Sequence, residues 1–409
     1  MSGVRTTCPY CGVGCGMVAQ TDGRIVGDAA HPANFGRLCS KGAALAETLR
    51  DGARLRHPLV AGERASWDAA LGLIASRFAE AIAAHGPDSV AFYVSGQCST
   101  EDYYVANKLI KGFIGSASID TNSRLCMAST VAGQIRAFGA DVVPGTYEDL
   151  ELADLVVLVG SNLAWCHPVL HQRLMAAREA RGTRVVVIDP RRTATAEEAD
   201  LHLALAPGSD VALFAGLLAH LDRVGAVDRA WCAAHASGLE TALDVAREAD
   251  VASTGLEAAE IAAFYALFAG TERVVTVFSQ GVNQSSAGTD KVNAILNVHL
   301  ATGRIGRPGA GPFSVTGQPN AMGGREVGGL ANQVAAHMRF DETGAVDRVG
   351  RFWGAPGMAR APGLKAVDLF EAVHDGRIRA LWIICTNPAD SMPRAERVRA
   401  GLERCPFVW

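Results

Sequence analysis

The hydrophobic pattern of the chain alternates between short, continuous apolar runs and segments with helical periodicity. Apolar side chains recur at three- and four-residue steps between Leu71 and Ile82, in a helix that Ser66 can cap and Gly86 can end. A second helical pattern covers residues 169–180. The apolar runs predict buried strands at 89–94, 155–159, 184–188, 274–278 and 381–384. Strand, loop, helix and strand in this order are typical of an open, parallel α/β sheet.

Polar loops, most of them with a glycine, follow several of these predicted strands. They cover residues 160–162, 189–193, 207–210, 280–284 and 385–388. None matches GxGxxG or GxxxxGK[ST]. Together they indicate a large, phosphate-bearing ligand held by helix N-termini and backbone amides. Arg191 and Arg192 would add positive charge for the phosphates, unless they are a solvated surface pair. Asp189 or Asp210 would bind a ribose or the edge of a guanine base.

The first forty residues carry a distinct arrangement of cysteines. Cys8, Cys11 and Cys15 lie in CPYCGVGC, and Cys39 follows in GRLCSKG. Proline and glycines favour a tight loop that turns several sulfurs towards one point. The uneven spacing fits a four-iron cluster better than the paired knuckles of structural zinc sites, although zinc stays an alternative. Lys41 can lie between an anionic cluster and a second anionic cofactor, or it is a solvated surface lysine.

Composition narrows the class of protein. The chain has 409 residues, is 49% hydrophobic and carries a net charge of -4, which predicts a soluble protein of two or three domains and argues against nucleic acid as a partner. The N-terminus has no apolar signal region and no twin arginine, and no apolar run is long enough for a bilayer. We therefore expect a cytoplasmic protein with no membrane partner, in which the ten cysteines are ligands or buried residues rather than disulfides.

At this point a family resemblance emerges. CPYCGVGCG, GRLCSKG and SRLCMAS resemble the molybdenum bis-pterin-guanine-dinucleotide oxidoreductases, most closely the assimilatory nitrate reductase catalytic subunits, with periplasmic nitrate reductases and formate dehydrogenases as relatives. We predict a 4Fe–4S module at 1–60, followed by two doubly wound, mostly parallel α/β domains. One comprises 61–125 plus 307–409, and the other, 126–306, is Rossmann-like and binds a pterin guanine dinucleotide. Family members continue into a β-rich C-terminal domain, so we expect this sequence to be an N-terminal part.

The resemblance also implies the reactive centre. Cys126, in SRLCMAS, would supply the thiolate that binds molybdenum, although a cysteine in this setting is most often a buried small hydrophobe. Formate dehydrogenases have histidine at the next position. Here it is Met127, which cannot act as a general base and agrees with oxygen-atom transfer to nitrate.

A second implied catalytic stretch is GQPNAMGGREVGG at residues 317–329. Its glycines suggest a backbone that lies against the cofactor, and Gln318 and Arg325 resemble substrate-funnel residues. Arg325 would orient the nitrate anion, unless it pairs with Glu326 or another carboxylate.

Matched motifs assign the contacts to the two pterin guanine dinucleotides. These are Lys41, Gln97, Asn122, Gly160, Ser161, Asn162, His167, Asp189, Pro190, Arg191, Arg192, Gly208, Ser209, Asp210, Gln280, Asn283, Gln284 and Asn387. The resemblance thus predicts reduction of nitrate to nitrite, with ferredoxin, flavodoxin or an NADH-dependent reductase as electron donor. The alternatives are a formate dehydrogenase-like enzyme and a non-catalytic, electron-carrying iron–sulfur subunit.

Overall fold

The computed structural model describes residues 3–50, 52 and 54–409. The chain divides into two compact units. The first unit comprises the residues up to Ala43 together with Cys126–Gly317, and the second comprises Ala44–Leu125 and Gln318–Trp409. Each unit contains a parallel sheet, which confirms the predicted α/β class.

The strands are short, and five of them, β6, β8, β9, β11 and β13 in the numbering below, overlap the predicted apolar runs. They are β1 (Gly3–Thr7), β2 (Gly16–Gln20), β3 (Ile25–Gly27), β4 (Leu59–Val60), β5 (Glu63–Arg64), β6 (Val90–Val94), β7 (Ile119–Thr121), β8 (Leu155–Val159), β9 (Arg184–Ile188), β10 (Leu201–Leu203), β11 (Val274–Phe278), β12 (Gly311–Ser314), β13 (Ala380–Ile383) and β14 (Phe407–Val408).

The helices lie between the strands, and several are only one turn long. They are α1 (Ser40–Ala43), α2 (Trp67–His85), α3 (Thr100–Lys108), α4 (Ser123–Phe138), α5 (Tyr147–Leu152), α6 (Leu163–Cys166), α7 (Pro168–Arg181), α8 (Ala194–Glu197), α9 (Asp210–Arg223), α10 (Arg229–His235), α11 (Leu239–Arg247), α12 (Ala258–Ala269), α13 (Gln280–Asn283), α14 (Gly288–Ala301), α15 (Ala321–Glu326), α16 (Ala345–Trp353), α17 (Ala366–His374), α18 (Pro388–Ser391) and α19 (Ala395–Arg404). Short 3₁₀ helices cover Leu45–Leu49, Pro87–Ser89 and Val251–Thr254, and Leu109–Ile114 is π-helical.

The first unit is built on a five-stranded parallel sheet in the order β10-β9-β8-β11-β12. All five residues of β8 and of β11 are buried, because helices cover both faces of the sheet. The largest core of the unit joins β8, β9 and β11 to the apolar faces of α9, α12 and α14. A three-stranded antiparallel sheet, β1-β2-β3, belongs to the same unit and carries the cysteine loop between β1 and β2.

The second unit contains a four-stranded parallel sheet in the order β14-β13-β6-β7. Phe92 on β6 packs on one face with Phe78 of α2 and Ile110, while Tyr93 packs on the other with Phe370 of α17. Ser66 caps α2 and Gly86 follows its last residue with a positive φ, as the sequence predicts.

The compact units differ from the predicted domain boundaries. The predicted module boundary at residue 60 lies inside the second unit, which begins at Ala44. The boundary predicted at 306 falls before β12, yet β12 pairs in parallel with β11 and so completes the sheet of the first unit. β12 is therefore part of the first compact unit, which ends at Gly317. The division into three domains stays a prediction.

Across the residues that the structure describes, no helix combines the length and the apolar character that a bilayer requires.

Candidate functional site

The loop between β1 and β2 brings three cysteines close together. The amide of Cys8 donates to the carbonyl of Cys15 at 2.8 Å, which closes the loop at its base. Gly14 has a φ of 66°, a left-handed conformation that glycine adopts without strain. Cys8 and Cys15 are buried, whereas Cys11 and Cys39 are half-buried. The predicted tight loop is therefore present.

The four thiols of Cys8, Cys11, Cys15 and Cys39 influence one another electrostatically. Burial raises the pKa of Cys8, Cys11 and Cys15, in the last case to about 12, and the neighbouring thiolates, Cys39 included, raise it further. Yet within residues 3–50, 52 and 54–409, no three His, Cys, Asp or Glu side chains are arranged to hold one metal ion. Four neighbouring cysteine thiols are the donor set that an iron–sulfur cluster or a zinc ion binds.

Lys41 follows Cys39 at the start of α1 and is exposed. Burial raises the pKa of the Cys8 and Cys11 thiols, and the positive charge of the Lys41 ammonium lowers it. It also adds to the effect of burial in lowering the pKa of His167. A depression of about 440 Å³ is lined by Lys41, Cys39 and Trp165, whose side chain is 72% exposed. Lys41 therefore acts electrostatically on both the cysteine loop and the loop after β8.

Cys126 lies in the first turns of α4 and is buried, as is Met127 beside it. The side-chain amide of Gln280, at the start of α13, donates to the Cys126 sulfur at 2.9 Å. The Thr316 hydroxyl lies 3.8 Å from the same sulfur. The Cys126 sulfur thus has two polar neighbours, in contrast to the simplest expectation for a lone cysteine in an apolar core.

Thr316 connects Cys126 with the cysteine loop. A Cβ atom on Gly12 would collide with the carbonyl oxygen of Thr316, so the loop backbone approaches this residue as closely as only glycine allows. The same carbonyl interacts with His167 Nε2 at 2.6 Å. Within the first unit, Thr316 thus touches the loop of predicted cluster ligands, the predicted molybdenum ligand and a predicted pterin contact.

The loops after β8, β9 and β11 lie side by side, as expected for adjacent parallel strands. A Cβ on Gly160 would come within 2.6 Å of the Gly281 Cα, so these two loops meet backbone to backbone. Thr195, after β9, donates its hydroxyl to Asn162 at 2.8 Å. Three loops from separate sequence segments therefore meet at one edge of the sheet, and each of them contains predicted cofactor contacts.

Two buried polar atoms at this edge have no hydrogen-bond partner in the described part of the chain. They are the Ser161 hydroxyl and the Nδ1 atom of His167, whose side chains are almost completely buried. A buried polar atom without a partner is costly, and a ligand that supplies the partner removes that cost. Both atoms therefore fit the phosphate-bearing cofactor that the sequence predicts.

Other predicted contacts are engaged within the protein. Asn283 accepts from the amide and the hydroxyl of Thr130 at 2.8 and 2.7 Å, so its amide fastens α13 to α4. The Asp210 carboxylate lies 2.6 Å from the Lys291 ammonium, and both side chains are buried. Asp189 accepts the amide of Arg191 at 2.9 Å, which shapes its turn.

The remaining predicted contacts of the first unit lie in the same loops. Pro190, Arg191, Arg192 and Gln284 are exposed, Gly208 has a φ of 97°, and Ser209 precedes α9. Their assignment to the cofactor stays a prediction.

In the second unit, Gln97 and Asn122 lie together at the carboxyl ends of β6 and β7. The Asn122 amide donates to Gln97 at 3.1 Å and to the Thr386 hydroxyl, after β13, at 3.4 Å. Asn387 caps α18 by accepting from Ala389 at 3.2 Å. Polar side chains thus follow three adjacent strands of this sheet too.

The glycines of residues 317–329 require a correction. We expected them to let the backbone lie against a cofactor. Instead, a Cβ on Gly324 or Gly329 would come within 2.5 or 2.7 Å of the Tyr103 ring, and a Cβ on Gly328 would collide with the backbone at Val334. These three glycines are therefore required by packing within the second unit. Gln318 lies against Gly96 and Arg325 is half-buried on α15; both belong to the second unit.

Several residues of this region were not found from the sequence. The ammonium of Lys111 is fully buried and donates to the carbonyls of Gly328, Leu330 and Gln333 at 2.6 to 2.7 Å, which fixes the loop after α15. Thr316 was missed because its partners are distant in sequence. The contact of the Gln280 amide with Cys126 was not predicted either, and the assignment of Gln280 to the pterin stays a prediction.

Comparison with known proteins agrees with this geometry. Two family models match the chain: the molybdopterin oxidoreductase Fe4S4 domain over residues 1–51, and molybdopterin oxidoreductase over residues 54–409. A nitrate reductase of Klebsiella oxytoca is 56% identical over the whole chain, which covers 48% of that protein. A nitrate reductase of Shewanella frigidimarina is 51% identical, with 100% of this chain and 45% of that protein covered.

Among solved structures, acetylene hydratase from Pelobacter acetylenicus superposes with a TM-score of 0.79 at 20% identity, covering 99% of this chain and 60% of that one. At this identity the likeness shows the fold alone. The chain spans about half the length of the first two relatives.

Proposed function

The chain belongs to the molybdopterin oxidoreductases, and on that premise we propose that it is the cofactor-binding part of a nitrate reductase. In this proposal the whole protein reduces nitrate to nitrite at a molybdenum centre with two pterin guanine dinucleotides, in nitrate assimilation. The high identity to proteins named nitrate reductase, over the entire chain, supports this substrate.

The observation that carries the proposal is the position of Thr316. Its backbone abuts the loop of Cys8, Cys11 and Cys15, and its hydroxyl lies 3.8 Å from the sulfur of Cys126. A molybdenum oxidoreductase that receives electrons through a cluster needs the two sets of thiol ligands close together. Cys8, Cys11, Cys15 and Cys39 would hold the iron–sulfur cluster, and Cys126 would bind molybdenum. Ser161 and His167 would contact the pterin cofactor.

When bound, the molybdenum–pterin group supplies oxygen-atom transfer, by which nitrate, two electrons and two protons give nitrite and water. The protein contributes position and charge. Lys41 places a cation within electrostatic reach of the cysteine loop and of His167. Gln280 holds the Cys126 sulfur through an N–H···S hydrogen bond at 2.9 Å. In the second unit, Arg325 would attract nitrate.

Met127 distinguishes nitrate reduction from formate oxidation. Its buried thioether lies directly after Cys126 and cannot take a proton from formate. A relative named F420-dependent formate dehydrogenase subunit alpha, from Methanocaldococcus jannaschii, is 30% identical.

The experiment that tests this proposal assays the metal-loaded protein for nitrate reduction with a reduced viologen dye and for formate oxidation with the oxidised dye. Formate oxidation without nitrate reduction would overturn the proposal, and iron without molybdenum or activity would favour an electron-carrying subunit.

The proposal also includes the cellular location of the protein and its electron donor. The protein is cytoplasmic, and its electrons come from a carrier such as ferredoxin, flavodoxin or an NADH-dependent reductase. Activity in cell fractions, and reduction of the purified protein by each donor, test them.

A further inference from the structure

Tyr147 touches the cysteine loop at its centre. It is the first residue of α5, and its hydroxyl lies 3.0 Å from the Gly12 carbonyl oxygen and 3.1 Å from the Val13 carbonyl oxygen. These two carbonyls lie between Cys11 and Cys15. A hydroxyl is the donor in both contacts, because a carbonyl oxygen can only accept.

The environment keeps the Tyr147 hydroxyl protonated. Burial raises its pKa to about 12, and the thiolates of Cys11 and Cys15 contribute to the increase. The ring packs edge-on against Phe313 of β12, with centroids 5.8 Å apart. The side chain therefore has little freedom to leave the loop, and it stays a hydrogen-bond donor across the physiological pH range.

Arg173 on α7 packs against the same ring. Its guanidinium carbon lies 5.6 Å from the centroid of Tyr147 and 5.1 Å from that of Phe35. The side chain is fully buried, and its charge is balanced by Glu151, whose carboxylate lies 2.7 Å away. It also donates to the Pro32 and Ala33 carbonyls at 2.8 and 2.9 Å. Arg173 thus joins the segment before Cys39 to the tyrosine that holds the Cys11–Cys15 loop.

We infer that Tyr147, held in place by Arg173, is a positioning residue that fixes the Cys11–Cys15 loop and raises the reduction potential of the cluster bound there. The inference rests on the proposed function only in requiring that these cysteines bind an iron–sulfur cluster. It concerns neither molybdenum nor nitrate.

The electrostatic reason is simple. Carbonyl oxygens carry partial negative charge, and two of them lie within the ligand loop. The hydroxyl proton of Tyr147 offsets this charge and so favours the reduced cluster, which carries one more electron. Cluster potentials respond to hydrogen bonding and charge around the cysteine ligands. The bonds also hold the loop in the conformation that presents Cys11 and Cys15.

The test is Tyr147→Phe in the anaerobically purified, cluster-loaded chain. This variant removes the hydroxyl but retains the ring contacts with Arg173 and Phe313. Its matched control is Tyr265→Phe, because the buried Tyr265 also donates its hydroxyl to a backbone carbonyl, that of Leu213, at 2.6 Å in the core of the first unit. Both variants lose a comparable hydrogen bond, but only one loses it at the cysteine loop.

The readouts are iron per chain, the midpoint potential from a redox titration followed by electron paramagnetic resonance, and the rate of cluster loss to a chelator. We expect a shift to lower potential and faster loss for Tyr147→Phe, with wild-type values for Tyr265→Phe. A Tyr147→Phe chain that keeps the circular dichroism spectrum of the folded protein but loses its iron would also support the inference, provided that Tyr265→Phe keeps both the spectrum and the iron.

Equal potentials and loss rates in wild type and Tyr147→Phe would overturn the inference while the cluster itself stands. Equal changes in both variants would also overturn it, because they would reflect general stability. A wild-type chain without iron would instead overturn the proposed function. Arg173→Lys provides a second variant: it keeps the charge but cannot reproduce the three donated bonds, and it should lower the potential in the same direction.

Discussion

The side-chain amide of Gln280 donates a hydrogen bond to the sulfur of Cys126 across 2.9 Å. The two residues are 154 positions apart, on α13 and α4, and the bond between Asn283 and Thr130 fastens these same helices. A cysteine that binds a metal as thiolate gains from such a donor, because the N–H group stabilises negative charge on sulfur.

We therefore expect Gln280→Leu to weaken the molybdenum site. Loss of an outer-shell partner of a metal ligand typically costs about 10–100-fold in metal affinity or activity. Molybdenum per chain and the rate of nitrate reduction by the loaded protein measure the effect. Asn293→Leu is the control, because its amide also bonds to α4, but to the Gly133 carbonyl at 2.9 Å. An unchanged Gln280→Leu protein would contradict the role assigned to this bond.

Cys126→Ser should remove molybdenum-dependent activity and leave the iron content intact, since the cluster ligands are other cysteines. Cys232→Ser is the matched control, because Cys232 is equally buried but its thiol donates to the backbone carbonyls of Leu300 and Ala301. Metal analysis and the viologen-linked assay give the result. Wild-type activity in Cys126→Ser, or equal loss in both variants, would refute the assignment.

Lys41→Met should slow electron transfer while the molybdenum content stays near that of wild type. The ammonium acts on the cysteine loop and on His167, so its loss removes a positive charge from the region between two anionic groups. We expect a decrease in kcat of roughly tenfold, which corresponds to about 1.4 kcal/mol in the barrier. Lys41→Arg keeps the charge and should retain most of the rate. Loss of both cofactors in Lys41→Met would show a structural role instead.

His299 should make the fold sensitive to acid. It is fully buried against Thr276, and burial, aided by the charge of Arg304, lowers its pKa well below the usual 6.5. The unfolded chain therefore binds a proton near pH 6.5 that the native chain does not, so the free energy of unfolding falls as the pH drops below that value. Below that pH, the free energy of unfolding decreases by about 1.4 kcal/mol for each pH unit.

His299→Gln should flatten this pH dependence, which chemical unfolding between pH 7.5 and 5.5 measures. His85→Gln, at an exposed position on α2, is the control and should keep the wild-type slope. Identical slopes for His299→Gln and wild type would show that another group causes the acid sensitivity.

Local features of the fold were predictable from the sequence. The five consecutive apolar residues 155–159 predict a strand that is buried on both faces of a sheet, as β8 is. The N-cap Ser66 and the C-terminal Gly86 predict where α2 begins and ends. The cysteine loop likewise follows from proline and glycine. Contacts between distant segments were not predictable. Nothing near Thr316 in the sequence indicates Cys126, and the glycines at 324 and 329 are explained by the ring of Tyr103, more than two hundred positions away.

The same limit applies to charged residues. Lysine is usually solvated, so no local pattern predicts that Lys111 is buried among three carbonyl oxygens. Asp210 was expected to meet a ribose or a guanine, and its ion pair with Lys291 depends on the packing of α14 against α9. Side chains that are satisfied by long-range partners are visible only in the folded protein.

The most direct test of the account is the metal content of the anaerobically purified chain. Iron, acid-labile sulfide and zinc are measured in wild type and in Cys39→Ser, beside Cys232→Ser. The account predicts about four iron atoms and about four sulfides per chain in wild type and Cys232→Ser, and their loss in Cys39→Ser. One zinc atom per chain with neither iron nor sulfide would contradict it.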